Sequence, residues 1–293
     1  MNDVLVTLPF TRWDPAPGPQ QAARTTASLE RGQILFLPQL AFELTPDERR
    51  FLAPQWLAGA AKNISYDPRT AEIRHTSAID GDRAALAALM ARYAQQARAL
   101  LLALCPHYAA ALEYGLTSFR PAAIEGRASS ARKDDTRVHI DAFASRPNRG
   151  RRILRVFSNI NPRGEPRVWN VGEPFEEVAL RFRDGIAPQW PGSAWLLAAL
   201  GITRGRRSAY DHVMLGLHDR AKLDTEYQRD TAKQRIEFPP ASTWVVYTDH
   251  VMHAALSGQF VCEQTFGLPV AAMQEESYAP LRVLERLWRR QLA

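Results

Sequence analysis

Thr136-Arg-Val-His-Ile-Asp-Ala-Phe143 is the stretch that decides the fold. Apolar and polar residues alternate along it, which is typical of a β-strand. Side chains two positions apart on a strand point to the same face, so His139 and Asp141 could bind one metal ion together. A histidine on a solvated strand gives the same pattern. The motif therefore needs a third ligand before it indicates a metal site.

His253 is the third ligand that we expect. It follows the predicted strand at residues 243–249 and, if that strand continues, shares a face with Asp249. Two histidines and one carboxylate can hold iron(II) and leave positions open for a chelating co-substrate and dioxygen. His250 is the alternative, because a β-bulge would exchange the faces of the two histidines. The chain order of the motif, a long gap and then a histidine fits a double-stranded β-helix.

The segments around the motif predict an α+β protein. Short alternating strands at residues 152–159, 243–249 and 260–268 are separated by turns, which favours an antiparallel sandwich or open barrel. We expect a double-stranded β-helix core, jelly-roll and cupin-like, with a mostly helical N-terminal third. The expected organisation is a single domain over residues 1–293, with a support region (1–115), a catalytic core (116–280) and a C-terminal amphipathic helix (281–293).

The N-terminal third contains four predicted elements. Prolines predict a loop or arm within residues 11–31, and residues 32–38 form a short strand pattern. A threonine, a proline and two acids at 45–48 predict a helix start. Apolar residues at helical spacing predict a longer helix over residues 82–104.

Composition indicates a folded protein that binds acidic partners. Of 293 residues, 46% are hydrophobic and 23% are charged, which excludes disordered and coiled-coil classes. The net charge is +6, and residues 126–152 hold eight basic against three acidic side chains. The two cysteines make neither a disulfide framework nor a metal cluster. Without a secretory signal or spanning stretch, we expect a cytoplasmic protein.

A co-substrate such as 2-oxoglutarate would need a cation for its distal carboxylate, since a buried carboxylate is costly without a partner. The common position, about ten residues after the distal histidine, holds Glu263 and no cation. Arg155 lies between apolar residues of the strand that follows the motif, so we expect it to be the anchor, with Asn159 on the same face. The alternative is that Arg155 extends to the barrel rim.

Several long motifs together resemble the Kdo hydroxylase family. They span roughly residues 115–290, and the ones that carry the resemblance are Ser129-Ser-Ala-Arg-Lys-Asp-Asp-Thr-Arg-Val-His-Ile-Asp-Ala-Phe143, Arg152-Ile-Leu-Arg-Val-Phe-Ser-Asn-Ile-Asn-Pro162, Pro166-Arg-Val-Trp-Asn-Val-Gly-Glu-Pro-Phe175, Tyr210-Asp-His-Val-Met-Leu and Asp249-His-Val-Met-His-Ala-Ala-Leu-Ser-Gly258. The family consists of iron(II)- and 2-oxoglutarate-dependent dioxygenases that hydroxylate 3-deoxy-D-manno-oct-2-ulosonic acid (Kdo) in the lipopolysaccharide inner core. The resemblance implies His139, Asp141 and His253 as the iron ligands.

The implied reaction uses Fe(II), 2-oxoglutarate and O2, converts Kdo on lipid A to its C3-hydroxylated form, and releases succinate and CO2. Because this substrate is acidic, Arg127, Arg132 and Lys133 are the expected substrate-binding residues. Because it is linked to lipid, we expect peripheral contact at the cytoplasmic face of the inner membrane. The C-terminal helix either packs on the core, which is its default role, or serves as a contact element.

Two alternative functions stay open on the sequence. One is a 2-oxoglutarate oxygenase that acts on protein or nucleic acid, although residues 126–152 contain only one aromatic side chain for base stacking, Phe143. The other is a non-enzymatic anion-binding β-barrel with structural histidines. We therefore expect no nucleic-acid partner, and the oligomeric state is left open.

Overall fold

The structure is a computed structural model that describes residues 4–126 and 130–293. Within those residues the chain forms eleven strands, in the order β1 (Leu5–Thr7), β2 (Ile34–Leu37), β3 (Ile64–Asp67), β4 (Glu72–Arg74), β5 (Glu113–Arg120), β6 (Arg152–Asn159), β7 (Arg167–Val171), β8 (Gln234–Phe238), β9 (Ser242–Tyr247), β10 (His253–Ser257) and β11 (Val261–Leu268). The same residues contain seven α-helices: α1 (Pro19–Glu30), α2 (Asp80–Leu104), α3 (Phe175–Phe182), α4 (Ser193–Ala199), α5 (Ala209–Leu223), α6 (Thr225–Asp230) and α7 (Pro280–Trp288).

The strands form two sheets that face each other, which confirms the predicted jelly-roll class. The larger has the order β1-β2-β9-β6-β11-β5-β3-β4, and the smaller has the order β10-β7-β8. All pairings are antiparallel except that of β1 with β2. Aromatic side chains fill the space between the sheets: Trp244 stacks on Phe238 at 4.1 Å and on Phe157 at 5.2 Å between ring centroids. This packing holds the smaller sheet against the larger one.

Helix α2 covers the outer face of the larger sheet, as the apolar stripe over residues 82–104 predicts. Leu86, Leu100 and Leu104 on that stripe are buried. The Tyr93 hydroxyl reaches the backbone oxygens of Val156 at 3.1 Å and Cys262 at 3.2 Å. The helix is therefore fastened to the centre of the sheet whose opposite face lines the interior.

Three expectations for local structure need correction. Residues 19–30 are helical, because Pro19 occupies the first turn, where its missing N–H costs nothing; the predicted arm therefore ends at Gly18. The helix start at residues 45–48 leads only to the short 3-10 helix Glu48–Phe51. The N-terminal third also supplies four strands to the larger sheet, so it is less helical than expected. Local propensity did not reveal how these strands join the sheet, because β2 pairs with β9 and β3 pairs with β5, far away in the chain.

Helix α7 packs its apolar face against the core. Leu284 is fully buried, and Leu287 and Trp288 lie against the same cluster. Its arginines pair with nearby acids, Arg282 with Glu276 at 2.8 Å among them. The apolar side chains of this helix thus pack on the core, the first of the two roles that the sequence allows.

Candidate metal centre

Three side chains from two distant segments converge at one end of the barrel. His139 and His253 form an isolated antiparallel bridge, with reciprocal backbone hydrogen bonds of 2.9 and 2.8 Å. The Asp141 N–H donates to the Thr248 carbonyl at 2.8 Å. One ligand atom from each of His139, Asp141 and His253 lies within 4.8 Å of the others. We call these three residues the metal triad.

Backbone carbonyls orient both histidines. His139 Nδ1 lies 2.7 Å from the Arg137 oxygen, and His253 Nδ1 lies 2.8 Å from the Val251 oxygen. A carbonyl only accepts, so each Nδ1 carries the proton and each Nε2 keeps a free lone pair. Asp141 Oδ2 is buried and lies 3.1 Å from Arg155 Nη2. Two neutral imidazoles and one carboxylate are a donor set that suits iron(II), so the residues fit this metal.

Burial and charge set the protonation states that a metal needs. Burial, with a smaller effect of neighbouring His253, holds the pKa of His139 well below its usual value. Burial also lowers the pKa of His253. For Asp141, burial alone would raise the pKa, but the charges around it, led by that of Arg155, lower the pKa. At neutral pH the metal triad therefore offers two neutral rings and a carboxylate.

Arg155 lies inside the barrel beside the metal triad, as its apolar neighbours on β6 predict. Its Nη2 is 3.1 Å from Asp141 Oδ2, and its Nη1 is 2.8 Å from Glu263 Oε1. Glu263 on β11 also pairs with Arg120 on β5, at 2.9 Å. We call Arg120, Glu263 and Arg155 the Arg–Glu–Arg network. Glu263 occupies the position about ten residues after His253, and two arginines from the flanking strands surround it.

His253 does not reach the site by continuation of the strand before it, although the sequence predicts this. Strand β9 ends at Tyr247, and a turn precedes β10, which begins at His253, so no continuous strand relates the two. Residues 136–143 likewise begin in a turn and contain a single bridge, at His139, in place of the predicted strand. His250 points elsewhere, against Gly32 and the ring of Phe175 at 5.7 Å, and it lines a separate cavity of about 930 Å³.

Asn159 is engaged by the backbone of the turn after β6. Its Nδ2 donates to the carbonyls of Glu165 and Phe238, both at 3.0 Å, and its Oδ1 accepts from the Asn161 N–H at 3.0 Å. These bonds use the amide to shape the turn.

Two of the predicted substrate-binding residues lie near the metal triad, in the 3-10 helix Ala131–Lys133. Arg132 pairs with Asp219 on α5 at 3.1 Å, and Asp219 binds His218, whose ring centroid is 5.5 Å from that of His139. Lys133 is exposed and its carbonyl accepts from a lysine side chain. Arg127 lies outside the described residues.

Sequence reasoning missed the contributions of β5, β11 and α5 to this site. Arg120, Glu263 and Lys222 are buried or half-buried and act electrostatically on one another or on the metal triad. His218 joins this set of residues through its ring contact with His139 and its contact with Asp219. Nothing in local spacing indicates which distant strands bring these charges together.

Comparisons with known proteins agree on one family. The model of the 3-deoxy-D-manno-oct-2-ulosonic acid (Kdo) hydroxylase family matches residues 12–291. Similar solved structures include the Kdo hydroxylase KdoO in complex with alphaketoglutarate and Fe(III), at 45% identity and a TM-score of 0.95 over 99% of this chain and 97% of that chain. KdoO in complex with cobalt(II) is 46% identical, with a TM-score of 0.96 over 99% and 97% of the two chains. No curated protein matches the chain.

Proposed function

The chain belongs to the Kdo hydroxylase family, and from this premise we propose that it hydroxylates C3 of Kdo attached to lipid A. It is an iron(II)- and 2-oxoglutarate-dependent dioxygenase, the class to which the similar KdoO belongs. The observation that carries the proposal is the metal triad, in which backbone carbonyls leave both histidine Nε2 atoms free.

The chain's own residues prepare the site for chemistry. Iron(II), when bound by the metal triad, supplies the activation of dioxygen that is coupled to conversion of 2-oxoglutarate to succinate and CO2. The bridge between His139 and His253 fixes the spacing of the two rings, and the ring of Trp169 stacks on His253 at 5.0 Å. This rigid support keeps the imidazoles in one orientation and shields them from water.

For 2-oxoglutarate, Arg155 is the proposed carboxylate anchor. Its side chain is 11% exposed and lies inside the barrel next to Asp141. Its Nε is buried without a hydrogen-bond partner among the described residues, which leaves a donor for an incoming carboxylate. Asn159 is proposed to support this anchor only by its position on β6, the strand that carries Arg155. Its side-chain amide is already hydrogen-bonded to the Phe238 carbonyl and the Asn161 N–H.

For the acidic sugar, Arg132 and Lys133 are the proposed contacts, together with Arg127. Arg132 is the best supported of them, because its ion pair with Asp219 links it to His218 and so to the edge of the metal triad. A guanidinium there would face a carboxylate or phosphate of the substrate.

The place of action is proposed to be the cytoplasmic face of the inner membrane, without insertion. No described helix has the length and apolar character needed to span a bilayer. The proposed substrate carries lipid A, so the enzyme has to reach a membrane surface.

The test is hydroxylation of purified Kdo-lipid A in detergent micelles with Fe(II), 2-oxoglutarate and O2. Mass spectrometry should show one added oxygen on Kdo and an equal amount of succinate. His139→Ala is the matched inactive control, and a free Kdo disaccharide, a protein extract and single-stranded RNA are the comparison substrates. Oxygen incorporation into protein or RNA with none into Kdo would refute the proposal.

A further inference from the structure

Residues 186–202, which connect α3 to α5, form an exposed apolar surface that the catalytic site does not use. No charged side chain occurs from residue 185 to 203, and no residue from 183 to 202 is buried. Ten large hydrophobic side chains stand out as exposed in the described part of the chain, and five of them fall within 13 residues here: Trp190 (80%), Trp195 (58%), Leu196 (51%), Leu200 (64%) and Ile202 (54%). We call residues 186–202 the apolar segment. Such a concentration marks an interaction surface.

Both ends of the apolar segment are attached to the body of the protein. At the start, His212 Nε2 lies 2.8 Å from the Ala187 carbonyl, and Ile186 packs over Gly216 of α5. At the end, the Arg204 N–H donates to the Ser145 carbonyl at 2.9 Å, and Arg207 donates to the Ala144 carbonyl at 2.6 Å. The segment is thus a positioned element whose apolar side chains face solvent.

A rim of arginines borders the apolar segment. Arg204 and Arg206 follow it and are exposed. Arg146 lies close enough to Arg204 that burial, and then this like charge, lower its pKa. The Arg149 guanidinium lies against Gly205, in the space that a side chain at this position would fill. Exposed tryptophans and aliphatic side chains beside uncompensated arginines match the interface of an anionic lipid bilayer.

The same attachment places the apolar segment near the metal centre. Ala144 and Ser145, which hold its C-terminal end, follow Asp141 by only a few residues. Between them and Asp141 lies Phe143, which is 39% exposed and 5.7 Å from the Arg155 guanidinium. An object bound to the segment would therefore lie beside the entrance to the barrel.

We propose that the apolar segment inserts into the interfacial layer of an anionic membrane and so holds the entrance of the barrel against the membrane surface. The proposal deepens the proposed function, since it names how a lipid-linked substrate would reach the metal centre. A second copy of this chain fits less well, because two such arginine rims would repel each other. Helix α7 offers no comparable surface, as its apolar face is buried.

Co-sedimentation with vesicles tests the proposal without any substrate. The probe is vesicles of phosphatidylglycerol and phosphatidylcholine, compared with phosphatidylcholine alone. The wild type should bind the anionic vesicles, and Trp190→Ser/Trp195→Ser should bind about tenfold more weakly, because the two side chains carry much of the apolar area. Ile79→Ser is the matched control: it removes a side chain that is 72% exposed elsewhere and should leave binding unchanged. Arg204→Gln/Arg206→Gln should weaken binding and reduce its salt dependence.

Light scattering and turnover separate the remaining outcomes. Equal vesicle binding by wild type and the tryptophan variant overturns the proposal. So does a wild-type dimer that the tryptophan variant dissociates, with no vesicle binding. On water-soluble Kdo disaccharide the tryptophan variant should keep wild-type turnover, whereas on Kdo-lipid A in vesicles it should lose about tenfold. Vesicle binding with no Kdo hydroxylation by any variant would refute the proposed function without contradicting the membrane contact.

Discussion

Arg155→Met tests how the site holds 2-oxoglutarate. The substitution keeps a side chain of similar reach but removes a guanidinium 3.1 Å from Asp141 and 2.8 Å from Glu263. A charge-assisted hydrogen bond to a carboxylate contributes about 1.5–3 kcal/mol, and about 1.4 kcal/mol corresponds to a factor of ten. The KM for 2-oxoglutarate should therefore rise about 10- to 150-fold. Glu263 keeps its pair with Arg120 at 2.9 Å, so the fold should persist.

The assay is succinate formation against 2-oxoglutarate concentration at saturating iron, with iron affinity measured separately by equilibrium dialysis. Arg163→Met, which alters an exposed arginine on the outer turn, is the matched control and should leave the KM unchanged. Arg120→Met reports whether the other arginine of the Arg–Glu–Arg network carries the anchor. An unchanged KM in Arg155→Met would refute the assignment. A KM increase that disappears once iron occupancy is matched would instead assign Arg155 to positioning Asp141.

Three further predictions concern the metal triad and two buried charges. Alanine at any position of the metal triad should abolish iron-dependent turnover in a folded protein, whereas His250→Ala should retain it; iron binding and circular dichroism check this, and the reverse pattern would contradict the ligand assignment. Arg152→Met should lower the free energy of unfolding by about 3–5 kcal/mol, because it removes the guanidinium whose Nε lies 2.8 Å from Asp249 Oδ2 and leaves that fully buried carboxylate unpaired. Tm should therefore fall by about 10 °C in thermal unfolding. Burial would raise the pKa of Asp135, but cationic neighbours led by Arg120 lower it to about 2. Stability should therefore be lost as the pH falls from about 4 toward 2, and Asp135→Asn should flatten this pH dependence in acid unfolding.

The sequence predicted which residues come together better than it predicted the way they meet. Period-two spacing places His139 and Asp141 on one face of any extended segment, and this holds although the segment is not a full strand. The structure brings His253, and not His250, to His139 and Asp141, but the reason given for that choice was wrong, because a turn separates β9 from β10. The register of the bridge between His139 and His253 selects the ligand, and register between distant segments is not a local property.

Local patterns determined that β2, β6, β9 and β11 are strands, which face of α2 is buried, and that His139 and Asp141 are candidate metal ligands on one face of the chain. Tertiary structure alone decided which charges meet, as when β5 and β6 bring two arginines to Glu263 on β11. It also decided which apolar surface stays exposed: α7 is buried, and residues 186–202 are not. The physical reason is the distance along the chain over which each effect acts. Periodicity and propensity act over a few residues, whereas ion pairing and burial depend on how sheets close over long separations in the chain.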